Sequence, residues 1–149
     1  MSKLSISERL SRWKSLRKNI SKLDIFDACA LTSKFWNNVP FVPYYLQLEN
    51  PETWPDPWQL LVENYFCDIA KCLGIIYTLY LSDHSKELFP ELRVYFDTES
   101  KYTYHIAYFC HGKYVLNLVE DEIVNKEHIS QRLKLTHRYT ITELKLEQY

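Results

Sequence analysis

Asn64-Tyr65-Phe66-Cys67-Asp68-Ile69-Ala70-Lys71-Cys72-Leu73-Gly74-Ile75-Ile76-Tyr77-Thr78-Leu79-Tyr80-Leu81 is the stretch whose reading decides the fold. Apolar residues at 66, 69, 73, 76, 77 and 80 recur at the spacing of a helical face turned to a core. The stretch is therefore predicted as the one long buried helix. Asn64 is the expected N-cap, because its side-chain oxygen can accept from the free amides of a first turn. Counting from that cap puts Cys67 at the third helical position. There the partial positive charge of a helix end favours a thiolate over a thiol. A cysteine so placed is a recurring mount for a nucleophile, and free cysteine is equally a common buried residue. Both readings stand on this stretch alone.

The elements before it read as helices. Ser5 or Ser7 caps a helix with Leu10, Trp13, Leu16, Ile20 and Leu23 on one stripe and cations on the other. Asp24 caps a second, with Ile25, Ala28, Cys29, Leu31, Phe35 and Trp36 inward, ending near Asn37-Asn38 ahead of Pro40. Val39 to Tyr45 is expected to be extended, since Pro40 and Pro43 fix the backbone and remove donors. Asn50 to Pro55 continues as a loop. Asp56-Pro57-Trp58-Gln59 then opens a short helix, an acidic cap followed by proline at the first position, running to about Glu63.

Beyond Ser82-Asp83-His84 the pattern turns to strands. Leu92 to Phe96 alternates, Asp97 to Lys101 is a turn, and Tyr102–Phe109 and Lys113–Val119 flank a single glycine. Asn125 is expected to cap a helix through Leu133, and Arg138 to Leu146 to form a last strand. Helices first and an antiparallel sheet after them make an α+β fold. With 149 residues the chain is read as one domain, a basic helical segment over 1–38 and a helix-plus-sheet core over 56–146.

Composition narrows the function classes. Hydrophobic residues at 46% and charged residues at 25% fit a soluble globular protein, and the longest apolar run, Gly74 to Leu81, falls short of a membrane span. The opening residues lack a charged-then-apolar leader, and Cys67, Cys72 and Cys110 lie in apolar surroundings, so reduced thiols and a cytoplasmic setting are expected. Two glycines can hardly supply a phosphate-binding loop, and neither the Cys67/Cys72 nor the Cys110/His111 spacing suits zinc, so no metal or cofactor is expected. His84, His111, His128 and His137 are assigned to the surface or turns, and Glu120-Asp121-Glu122 to a solvated acidic turn. The net charge of −1 is uneven: residues 1 to 22 hold seven cations against Glu8, a net +6 that leaves −7 for the rest. Such a segment is either a solvated helix face or a docking face for an acidic partner, with protein preferred over nucleic acid.

The hairpin joins these elements into a site. A three-residue connection, Cys110-His111-Gly112, pairs Phe109 with Lys113 and sets His105 directly opposite Asn117 on one sheet face. A two-residue loop would put them on opposite faces. A thiol needs a base, and the base needs a third group to hold its tautomer. Cys67, His105 and Asn117 supply a Cys-His-Asn set in chain order, with Asp121 as a fallback third member.

On these residues the chain resembles the transglutaminase-like superfamily, relatives of papain-like cysteine enzymes. The likeness lies in a cysteine opening a buried helix (Tyr65 to Ala70), a strand histidine (Tyr104 to Tyr108) and a following strand ending in Asn117. It covers about residues 56 to 121. Phe66 stands where the family has glycine before the cysteine, Ala107 where it has tryptophan after the histidine, and Asn117 where aspartate is commoner. The resemblance implies acyl transfer on an amide, peptide or isopeptide bond, with Cys67 attacking, His105 as base then acid, and Asn117 orienting it. It also implies an oxyanion site from the Cys67 amide with Trp58 or Gln59. In style, particularly Trp54-Pro55-Asp56-Pro57-Trp58, the chain is also similar to small proteins of tailed bacteriophages. That likeness implies the alternative: an inactive version serving as a virion or assembly module, in the host cytoplasm or in a virion, with residues 1 to 22 docking on neighbouring subunits.

Overall fold

The helical layer is assembled around one hydroxyl, that of Thr78, in the computed structural model, which describes residues 3–43 and 45–149. Thr78 lies on α4 (Asp68–Tyr80), whose residues Ile69, Cys72, Leu73, Ile76 and Leu79 are all buried. Its Oγ1 accepts from Trp13 Nε1 at 2.8 Å and Trp36 Nε1 at 2.9 Å, and donates to the Gly74 carbonyl at 2.6 Å. A hydroxyl offers one proton and two lone pairs, so its capacity is fully used. Trp13 belongs to α1 (Ile6–Ile20) and Trp36 to α2 (Ile25–Asn37), so three helices meet on this oxygen. The Trp36 ring lies over Gly74, where a Cβ would come within 2.6 Å of its carbons. Only glycine permits that approach.

Local capping chemistry sets the helix starts. Ser5 Oγ accepts from the Glu8 amide, Asp24 from Asp27, and Asp56 from Gln59 in a reciprocal capping box at the head of α3 (Pro57–Glu63). Arg9 leaves the cationic face of α1. It is 7% exposed, and its guanidinium donates to the carbonyls of Leu61 at 2.8 Å, Val62 at 2.9 Å and Leu4 at 2.6 Å. Two of these are C-terminal carbonyls of α3, the end of a helix that favours a cation.

The central helix starts later than the periodicity predicts. Asn64 adopts the left-handed conformation (φ 60°) and closes α3 instead of opening α4. Asparagine tolerates that region, which suits it to end a helix. Phe66 then forms a parallel bridge with Phe41, with the Val42 amide donating to the Phe66 carbonyl at 3.1 Å. The chain is held extended to Cys67, which becomes the N-cap of α4 in place of its third residue. Of the expected extended run 39–45, Tyr44 lies outside the described residues, as do Met1 and Ser2 of the N-terminal segment.

A single-turn helix α5 (Ser85–Leu88) leads into β1 (Glu91–Asp97), β2 (Thr103–Phe109), β3 (Tyr114–Leu116) and β4 (Leu133–Tyr139), an antiparallel sheet in the order β3-β2-β1-β4. Its inner face packs on the helices through Leu92, Val94, Ala107, Phe109 and Leu116. The outer face holds Tyr95, Ile106, Tyr108 and Val115, covered by Leu118, Val124, Ile129 and Leu133. The arrangement is the expected α+β, with five α-helices among the described residues packed on a small antiparallel sheet. Several boundaries in the sheet half differ, among them β3, which ends at Leu116 and not at Val119. The last strand is Leu133–Tyr139 and not 138–146, because Thr140 to Lys145 closes in tight turns. Asn125 caps one 3-10 turn, Lys126–His128, and no longer helix. The hairpin connection has four residues, so Phe109 pairs with Tyr114 and not with Lys113. Cys110 (φ 54°), His111 (φ 56°) and Gly112 (φ 91°) are all left-handed, and Lys113 remains in a helical conformation (φ −66°) that cannot enter the ladder. None of the helices of the described residues is long and apolar enough to cross a membrane.

Replacing Thr78 by valine keeps the shape and leaves two buried indole N–H groups without an acceptor. Each such group costs about 1–3 kcal/mol, so Thr78→Val is expected to lose about 2–5 kcal/mol in chemical denaturation. A loss under about 1 kcal/mol would show that the hydroxyl is not what joins the three helices.

Candidate functional site

Cys67 ends the extended 65–67 segment in the β conformation (φ −79°, ψ 179°), and its side chain makes no capping bond to the first turn. It is 5% exposed, and it lines a cleft of 580 Å³ together with Asp68 and His105. The first-turn amides of α4, which have no acceptor within the helix, lie next to it. The other thiols are held protonated. Burial pushes Cys29 up to about 12, pushes Cys72 well up, and raises Cys110. All four are free.

His105 stands on β2 opposite Val94, on the sheet face turned to α4. Its Nδ1 lies 4.0 Å from Asp68 Oδ2 and has no hydrogen-bond partner among the described residues. Desolvation by burial holds the ring below its ordinary pKa of 6.5, with the Asp68 carboxylate pulling it upward and His137 pushing it down. At neutral pH the imidazole is therefore neutral, the state a base requires. Asp68 was not among the residues singled out from the sequence. Its signal is its position, directly after the cysteine on the first turn, on the side that meets the strand histidine.

Asn117 reaches His105 by a different route from the one expected. It lies beyond the end of β3 in the left-handed conformation (φ 70°), because the longer hairpin loop removes it from the register opposite His105. Its Nδ2 donates to the His105 backbone carbonyl at 2.9 Å, not to the ring, and approaches Cys72 Sγ at 3.5 Å. Cys72 Sγ donates to the same carbonyl at 3.0 Å. Asp121 accepts from Asn37 at 2.9 Å. The expected oxyanion donors are placed elsewhere. Gln59 accepts from the Asp56 amide within the α3 capping box, and Trp58 sets its ring edge-on to Trp13 and Tyr149. Neither lines the Cys67 cleft. No group of three or more His, Cys, Asp or Glu side chains able to hold a metal occurs among the described residues.

Comparison of the sequence finds no matching family model and no matching curated protein. Comparison of the fold does find matches. The chain is similar to Legionella pneumophila LapG at a TM-score of 0.68 and 14% identity, covering 90% of this chain and 75% of that one. The EGTA-treated form of LapG gives 0.69 at 14%, covering 91% and 74%. The calcium-bound form gives 0.65 at 13%, covering 92% and 77%. LapG is a transglutaminase-like protein, so the fold implied by the order of cysteine, histidine and following strand is the fold found. At these identities the likeness carries the fold alone. It does not extend to the phage-type character, since these structures come from a bacterial protein.

The electrostatics of His105 give a signed expectation. Its ring protons, followed by NMR, should titrate with a midpoint below 6.5. Asp68→Asn should move the midpoint further down, since the carboxylate raises it, and His137→Gln should move it up. A midpoint above 6.5 would contradict the burial of the ring.

Proposed function

We propose that the protein is a cysteine-dependent acyl-transfer enzyme acting on amide or peptide bonds of a protein substrate, with Cys67 as nucleophile and His105 as base. The observation that carries the reading is one cleft lined by a thiol at a helix N-cap and by an imidazole whose Nδ1 is buried without a partner. LapG, of the same fold, is a cysteine protease.

The chemistry follows from these groups. His105 takes the thiol proton as Cys67 Sγ attacks the carbonyl carbon, and the resulting oxyanion meets the free first-turn amides of α4. The C–N bond breaks as His105 returns the proton to the departing amine. Water, deprotonated by His105, or a second amine then cleaves the thioester and restores the thiol. Asp68 stabilises the imidazolium that forms in between. At 4.0 Å its carboxylate is too far for a hydrogen bond before substrate enters, and such contacts tighten in the complex. Asn117 is a positioning residue in this scheme: with Cys72 it fixes the carbonyl of His105, and so the strand from which the ring projects.

The alternative of an inactive, phage-type assembly module draws on the exposed cations Arg12, Lys14, Lys18 and Lys22 of the N-terminal segment. Deleting part of α1 does not test it cleanly, because Trp13 and Arg9 hold the fold together.

Iodoacetamide at about pH 7 is expected to alkylate Cys67 well ahead of Cys29, Cys72 and Cys110, as read by peptide mass spectrometry. His105→Asn should slow that reaction, and turnover of an amide substrate should fall by about 10²–10⁴ in the same variant. The base must be neutral, so activity should be lost as pH falls below 6.5, through the depressed titration of His105. Uniform alkylation of the four thiols, or none at Cys67, leaves the module.

A further inference from the structure

We infer that the substrate is an extended peptide segment with a large apolar side chain next to the bond attacked, an inference that rests on Cys67 being the nucleophile. Two pockets meet at His105. The larger, 580 Å³, has Phe41, Pro43, Leu46, Leu48 and Ile69 as its apolar lining, together with Cys67. Its volume lies within the range that holds a small ligand or a few side chains. The smaller, 240 Å³, shares Asp68, Tyr102, Thr103 and His105 with the first but continues into Lys71, Asn117 and Glu120. Lys71 Nζ stands 5.5 Å from the Phe41 ring centre, at the boundary of the two. A bond held beside His105 thus has an apolar wall on one side and a charged one on the other. A glutamine carboxamide or an acidic side chain would leave the apolar wall uncovered and lose its own hydration, whereas a leucine or phenylalanine covers it.

The backbone says that the occupant is a peptide. β3 pairs with β2 only at Ala107 to Phe109, while β1 pairs with β2 down to Thr103. The other edge of β2 at Thr103 to His105 therefore has no neighbouring strand among the described residues. Asn117 and Cys72 occupy the His105 carbonyl, which marks the direction in which that edge faces. Thr103 lies on the same edge, two residues away, and lines both pockets. A strand added along Thr103 would be carried past His105 with alternate side chains directed into the cleft.

The test uses the full chain and acetyl-X-chloromethyl ketones with X as phenylalanine, leucine, glycine or glutamate. The Cys67 sulfur displaces chloride from the methylene, forming a C–S bond and passing its proton to the buffer. Labelling is read by intact mass and peptide mapping, and each rate is divided by the iodoacetamide rate of the same protein. The phenylalanine and leucine reagents are expected to react at least about tenfold faster than the glycine and glutamate ones. Phe41→Glu, at a residue 54% exposed and so tolerant of change, should bring that ratio to within about threefold of one. Leu46→Lys serves as the second variant, with the same expectation. Equal rates for the four reagents, or a glutamate preference, at a Cys67 that iodoacetamide does alkylate would overturn the apolar specificity and leave the nucleophile standing. Failure of iodoacetamide itself at Cys67 would remove both.

Discussion

A single buried oxygen sets the geometry on which the rest of the molecule depends. Thr78 satisfies two tryptophan N–H groups and spends its own proton on the helix carbonyl one turn back, at Gly74. Buried polar groups of this kind are costly unless every partner is present, and here every partner is. The bonds fix how α1 and α2 lie on α4, and the bare Gly74 lets the Trp36 ring close on the helix axis. Because α4 also packs on β2, holding the helix in place holds its N-terminus against the strand that carries His105. That Cys67 and His105 line one cleft is thus a consequence of packing far from either.

The local parts of this arrangement can be read from the sequence because their causes are local. Ser5 (one of two candidate caps, with Ser7), Asp24 and the Asp56-Pro57 pair cap helices through contacts three residues away, and the structure starts α1, α2 and α3 there. Of the expected stripe, Trp13, Leu16 and Ile20 are buried, whereas Leu10 is partly buried and Leu23 lies beyond the end of α1 and is exposed. The misplaced start of α4 has a non-local cause. Asn64 has the chemistry to begin one helix or to end another, and the bridge between Phe66 and Phe41, formed across more than twenty residues, decides between them. The hairpin fails for a related reason. Gly112 announces a left-handed position, but Cys110 and His111 take the same conformation with nothing in their side chains to signal it. One added loop residue changes every pairing beyond it, and with it the role of Asn117.

Buried polar atoms ordinarily acquire a partner. His105 is fastened through its main chain, where Asn117 and Cys72 share the carbonyl, while its Nδ1 faces the Asp68 carboxylate at 4.0 Å without a hydrogen bond among the described residues. The ring is oriented without being saturated. Burial, which holds the imidazole neutral, and the nearby carboxylate, which favours its charge, act in opposite directions on the same group. In the proposed reaction, that balance would let the ring take a proton and give it back.

Arg9 gives the fold a mechanical side. Formally it belongs to the most cationic part of the chain, yet it is spent as an internal rivet, clamping the carbonyls of Leu61 and Val62 just ahead of the residues that run into Cys67. The N-terminal helix is consequently a strut and not a tether. A chain without that helix would leave the carbonyls of Leu61 and Val62 stripped of their guanidinium partner, at the turn that leads into Cys67.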